Sequence, residues 1–126
     1  MSNCKLEKMF ELRRSFIDEM RKAKPGSYPE KLPVDLLEKE GQRLCRDLAL
    51  NGVDEMFEAL QHLKNWKSHR ETEVPDINRE EFLEEIVDAF NYFFSLMILS
   101  GVDVEEFYLA FNKKDRIIRD RIEKGY

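Results

Sequence analysis

Residues 78–101 read NREEFLEEIVDAFNYFFSLMILSG, and this segment sets the architecture. Asn78 suits a helix N-cap, and Glu81 at the third helical position completes a capping-box pattern. Phe82, Ile86, Ala89, Phe90 and Phe93 then recur on one helical face. From Phe93 to Leu99 the segment is apolar nearly all round, and Gly101 ends it. The spacing predicts a helix reaching about Ser100 whose second half must be covered on several sides. In a chain of 126 residues, part of that cover is expected from another copy of the chain.

Three more helices lie outward from this one. Upstream, residues 5–23 place Leu6, Met9, Phe10, Phe16, Ile17 and Met20 on one face. Arg13, Arg14, Arg21 and Lys22 fall on the other. Pro25, Gly26, Pro29 and Pro33 then break the chain. A second helix is expected from Pro33 or Val34, through Leu36, Leu37, Leu44 and Leu48, to about Trp66. Asn51-Gly52 interrupts it, so the helix either kinks there or restarts with Asp54 as N-cap. A polar loop over 68–78 follows. Beyond Gly101, Asp103 caps a fourth helix ending near Lys124. The expected fold is an all-α four-helix bundle in one domain spanning 1–126.

Composition agrees. Five Gly and four Pro, with 37% charged and 42% hydrophobic residues, fit long solvated helices better than a sandwich or barrel. A formal net charge of −5 argues against a nucleic-acid binder. The N-terminal residues lack an apolar signal core, and the longest apolar run, Tyr92 to Leu99, is too short to span a bilayer. No membrane association and a cytoplasmic location are expected. Cys4 and Cys45 form no CxxC, and only His62 and His69 could join them, so neither structural zinc nor a disulfide scaffold is expected. Both histidines read as surface residues.

Two acids three apart share one helix face, and two such pairs on facing helices would make a cage of hard oxygen ligands for Mg²⁺ or Mn²⁺. The spacing alone discriminates poorly, because about five such pairs arise by chance at this acidic content. Seven occur. Asp35/Glu38 and Asp103/Glu106 sit at helix starts, where the dipole favours acids. Glu73/Asp76 lies in the polar loop, Asp120/Glu123 in the exposed last turn, and Glu81/Glu84 in first turns. Glu55/Glu58 and Glu85/Asp88 instead stand among apolar residues, where acids are costly unless paired or metal-bound. The other reading of these four is a solvated face opposite the core, and Glu55 becomes a first-turn acid if the helix restarts at Asp54.

Glu55-x-x-Glu58 followed after 26 residues by Glu85-x-x-Asp88 resembles the signature of the all-α nucleoside triphosphate pyrophosphatases, which include MazG-like enzymes and dimeric dUTPases. The flanking residues resemble the dUTPase branch. Met9-Phe10-Glu11-Leu12 is similar to its opening motif, and Asp54 to Leu60 to its second. Trp66-Lys67 stands at its Trp-Lys element, and Asn78-Arg79-Glu80 leads into a third motif at Glu84 to Phe90. Lys114, Arg121 and Gly125-Tyr126 fall at the spacing of its fourth. The resemblance covers roughly Met9 to Tyr126, apart from the Pro-rich connection. It implies Mg²⁺-dependent (or Mn²⁺-dependent) hydrolysis of a deoxynucleoside triphosphate to the monophosphate and pyrophosphate, in a homo-oligomer, a dimer or tetramer.

By the same resemblance Glu55, Glu58, Glu85 and Asp88 bind metal and carry the catalysis, with Glu55 or Glu58 as base. Arg13, Trp66, Lys67, Asn91, Lys114 and Arg121 would bind the nucleotide. Trp66 also reads as a core residue, Asn91 as an ordinary half-buried amide, and Tyr126 as closing over a site or simply packing. The chain departs from the family pattern where a Gln gives way to Arg13, a His to Asn91, and Asn residues to Asp115 and Ile118. The cage is intact, but the groups expected to read the base are altered. The implied substrate is dUTP, with dCTP or a broader range left open. Two other functions compete with this one: a non-catalytic nucleotide sensor or decoy, and a helical interaction module.

Overall fold

The Glu81 backbone N–H donates to Asn78 Oδ1 at 3.1 Å, and the Glu106 N–H donates to Asp103 Oδ1 at 2.8 Å. Both expected caps therefore form, each satisfying an N–H that the first helical turn leaves without a partner. The computed structural model describes residues 4–125. Its helices are α1 (Lys5–Ala23), α2 (Lys39–Leu60), α3 (Arg79–Leu99) and α4 (Val104–Glu123). No strand occurs among the described residues, so the chain is all-α. No described helix is long and apolar enough to cross a membrane.

α2 and α3 form the closely packed pair, and α1 lies across α3. The core joins Phe10 and Ile17 of α1, Cys45 and Leu48 of α2, and Ile98 and Leu99 of α3. The all-apolar end of α3 thus finds its cover here. Phe94 packs on Phe10 at 4.9 Å between ring centroids. The Pro-rich connection adds Tyr28, Leu32 and Val34 to the same core. It is tied down by the Val34 N–H donating to Leu99 O at 2.8 Å. Arg21 holds it from the other side, donating to the carbonyls of Pro29 and Glu30. Arg21 therefore does more than solvate a helix face.

α2 differs from expectation at three points. It begins at Lys39, because Val34 is committed to Leu99 and Asp35 and Leu36 to a turn. It ends at Leu60 rather than near Trp66, passing into a tight turn in which the N–H groups of Gln61, His62 and Leu63 donate three residues back. It also runs unbroken through Asn51-Gly52. Gly52 is buried, and a Cβ there would fall 2.5 Å from Cε1 of Phe93. The glycine marks a close helix crossing and not a stop.

α4 comes close to α1 alone. Val104 and Phe107 at its start reach the core, and none of its residues is fully buried. The four helices are a packed α2–α3 pair with α1 across it and α4 projecting.

Candidate functional site

Two contacts bracket the segment of the α2–α3 pair that carries the four acids. Gly52 lies on Phe93 at one end, and His62 lies on Glu85 at the other. The helices therefore run antiparallel with Glu55 and Glu58 opposite the Glu85–Asp88 stretch. Ala59 and Ala89 are both completely buried here. Small side chains beside the acids let the backbones approach closely. Each alanine is one residue beyond an acid and four beyond another, so the acids flank the seam.

Glu55 and Glu85 are half-buried, and Glu58 and Asp88 are exposed. The carboxyl of Glu55 is pushed above its ordinary value, first by burial and then by the charges of Glu58 and Asp88. A hydrogen-bond contact with Glu58 and the charge of Glu85 push the same way. One carboxylate thus responds to all three others, and Glu55 is no first-turn acid on a solvated face. No Lys or Arg forms an ion pair with any of the four among the described residues. The side chain that does come within ion-pair distance of one of them is His62, with Nε2 2.8 Å from Glu85 Oε2. The ring N–H is poorly aimed, so this buried oxygen has no well-formed hydrogen bond among the described residues. As the side chains stand, no three acidic, His or Cys groups among the described residues form a metal-holding set.

His62 corrects the sequence reading. It is half-buried, with Phe82 edge-on to its ring, and is no simple surface residue. Helical spacing could not show this, because His62 lies in the turn beyond Leu60, where α2 ends.

Arg13 also reaches α3. Its Nε donates to Ser95 Oγ at 2.7 Å, and Ser95 is completely buried. Its guanidinium lies 4.3 Å from the Phe16 ring centroid and 5.8 Å from that of Tyr92. Asn91 is half-buried on α3, three residues from Asp88 and therefore on its side of the helix.

Trp66 is 71% exposed, so it is no core residue. Trp66 and Lys67 line a pocket of about 630 Å³ with Phe57, Leu60, Lys64 and Arg70. The loop that builds it is closed by Asn65, whose amide donates to Glu71 and whose oxygen accepts from the Thr72 N–H. None of the four acids lines this pocket. Lys114 and Arg121 are exposed on α4, which comes close to neither α2 nor α3. Within one chain the fold sets Glu55 and Glu58 of α2 opposite the Glu85–Asp88 stretch of α3, places Arg13 against Ser95 and Tyr92, and leaves Lys114 and Arg121 on a helix that approaches neither α2 nor α3. Tyr126 lies outside the described residues.

Compared with known protein-family models, curated proteins and solved structures, the chain matches none.

Proposed function

We propose that the chain is a metal-dependent nucleoside triphosphate pyrophosphatase, as the motif resemblance implies. The observation that carries this reading is the placing of Glu55 and Glu58 of α2 opposite the Glu85–Asp88 stretch of α3, with no Lys or Arg paired to any of them among the described residues. Uncompensated carboxylates at a half-buried seam cost stability, and a hard divalent cation offsets that cost. The donor set fits Mg²⁺ or Mn²⁺, since all four groups are hard oxygen donors. Glu55, Glu58, Glu85 and Asp88 would hold the ion. When bound, it supplies charge neutralisation at phosphate oxygens and a water of lowered pKa.

The rest is the work of the chain's own residues. Glu55, whose affinity for a proton is raised first by burial and then by the charges of Glu58 and Asp88, is the group best suited to take the proton of the attacking water. Hydrolysis then breaks one phosphoanhydride bond and releases a nucleoside monophosphate and pyrophosphate. Arg13, fixed by Ser95 and two rings, offers the rest of its guanidinium to phosphate or base, and Asn91 an amide beside Asp88. Trp66, with Lys67, offers an aromatic face and a cation to the nucleotide.

The active form is a homo-oligomer. Leu12 on α1, Leu83 and Val87 on α3, and Phe111 and Ile122 on α4 are exposed apolar residues that a second copy would cover. Lys114 and Arg121 on α4 would reach a phosphate only at a site shared with such a copy. These same faces favour the competing reading, a helical interaction module without catalysis. Pyrophosphate release from a panel of deoxy- and ribonucleoside triphosphates, with Mg²⁺ and with EDTA, separates the two. Metal-dependent release from dUTP or dCTP supports the enzyme, and no release from any nucleotide by folded protein overturns it.

A further inference from the structure

His62 stands just past the end of α2, in the tight turn where its N–H donates to Ala59 O at 3.1 Å. Its ring meets Phe82 of α3 edge-on, with centroids 6.2 Å apart. It is thereby held between the end of one helix and the first turns of the next. Its Nε2 lies 2.8 Å from Glu85 Oε2, within hydrogen-bond length, while the ring N–H is not aimed to complete the bond. A turn of the ring would complete it.

The two oxygens of Glu85 are not equivalent. Oε2 is closed off from solvent, yet the side chain as a whole keeps 28% of its exposure. The accessible part of the carboxylate is therefore the Oε1 side. A ligating carboxylate free to rotate presents either oxygen, or both, and loses affinity to that freedom. A neighbouring N–H donor on one oxygen fixes which one faces the ion.

We propose that His62 is a positioning residue of the carboxylate centre, holding Glu85 Oε2 through Nε2–H and so presenting Oε1 to a divalent cation. This rests on the metal-site reading given above. His62 touches Glu85 and leaves the ion to the four acids.

Mn²⁺ titration of the full chain followed by electron paramagnetic resonance tests it, with wild type, His62→Gln, His62→Phe and Glu85→Gln compared. His62→Phe should weaken Mn²⁺ binding by about 10–100-fold, the range typical of lost outer partners. His62→Gln keeps an N–H donor on a side chain of similar reach and should retain more of the affinity. Thermal unfolding in EDTA reports whether each variant folds. If His62→Phe does not, the glutamine variant and the wild-type electron spin echo spectrum carry the test. The spectrum should lack the nitrogen coupling of a directly bound imidazole. Full affinity in folded His62→Phe, or a His62→Gln affinity no higher than that of Glu85→Gln, overturns the positioning role. Direct nitrogen coupling overturns it in favour of a ligand role. A wild type that takes up no Mn²⁺ overturns the metal-site reading itself.

Discussion

Gly52 of α2 and the ring of Phe93 of α3 are in direct contact, with no room between them for a methyl group: a Cβ on Gly52 would fall 2.5 Å from Cε1 and 2.9 Å from Cδ1. This crossing holds the carboxylate-bearing turns together. Gly52→Ala gains about 1 kcal/mol in helix propensity. It loses about 1–3 kcal/mol to overpacking, because the half-buried Phe93 ring must move. The expected sum is a loss of stability, deepening with Gly52→Val, measured by urea unfolding. A Gly52→Ala protein more stable than wild type would mean that the crossing is loose.

The Arg13 guanidinium is anchored by Ser95 Oγ at 2.7 Å. A hydrogen bond from a charged donor contributes about 1.5–3 kcal/mol. Ser95→Ala and Arg13→Met should each destabilise toward the low end of that range, since Arg13 is half-exposed. In a double-mutant cycle the two changes should couple by about 1 kcal/mol. Arg13→Lys should not rescue, because an ammonium cannot both reach the serine and lie flat over Phe16 and Tyr92. Additive losses in urea unfolding would contradict this anchor.

Glu55 predicts a pH dependence with a definite sign. Its folded-state carboxyl sits above the ordinary 4.5, through burial and then the charges of Glu58 and Asp88. A carboxyl raised on folding contributes stability that is complete below its unfolded value and fades as pH rises through its folded value. In EDTA, the Glu55→Gln variant should therefore be more stable than wild type at pH 7, and the gap should close as pH falls toward 4. Mg²⁺ should raise the wild-type melting temperature and leave that of Glu55→Gln nearly unmoved. Differential scanning fluorimetry across pH, with and without metal, reads all of this. A Glu55→Gln variant less stable than wild type at pH 7 in EDTA would contradict the repulsion argument.

The bare face of α4 predicts assembly. Phe111 is 66% exposed and Ile122 64%, on one stripe of a helix that approaches only α1. Changing both to Glu should leave monomer stability within about 0.5 kcal/mol, as for exposed sites generally. It should shift the sedimentation coefficient of the wild-type oligomer to that of a monomer. A wild type already monomeric at high concentration would remove the oligomer from the account.

The helices were largely legible because their ends are written in local chemistry. Asn78 and Asp103 cap as read, and Gly101 stops α3 with a positive φ of 83°. α2 starts later and ends earlier than its pattern suggests and does not restart at Asp54, and its start and its glycine are decided by tertiary contacts. Val34 is taken by Leu99, and Gly52 is required by a ring forty-one residues away in sequence. For the site, the apolar surroundings of Glu55/Glu58 and Glu85/Asp88 set them apart from the other acid pairs, and helix periodicity puts each pair on one face. The contact of His62 with Glu85 depends on how the turn after α2 folds back, which no spacing within one helix fixes. The remoteness of α4 was equally invisible, since an amphipathic pattern states that a face wants cover without naming what covers it.

Phosphorus NMR of dUTP and of dCTP incubated with the protein, in Mg²⁺ and in EDTA, alongside the Glu85→Gln variant, tests the central claim most directly. The account predicts that Mg²⁺ converts at least one of the two to a monophosphate resonance and a pyrophosphate resonance, with no orthophosphate. EDTA or Glu85→Gln should abolish the conversion. Unchanged triphosphate spectra with folded wild-type protein and Mg²⁺, or turnover that survives Glu85→Gln, would contradict it.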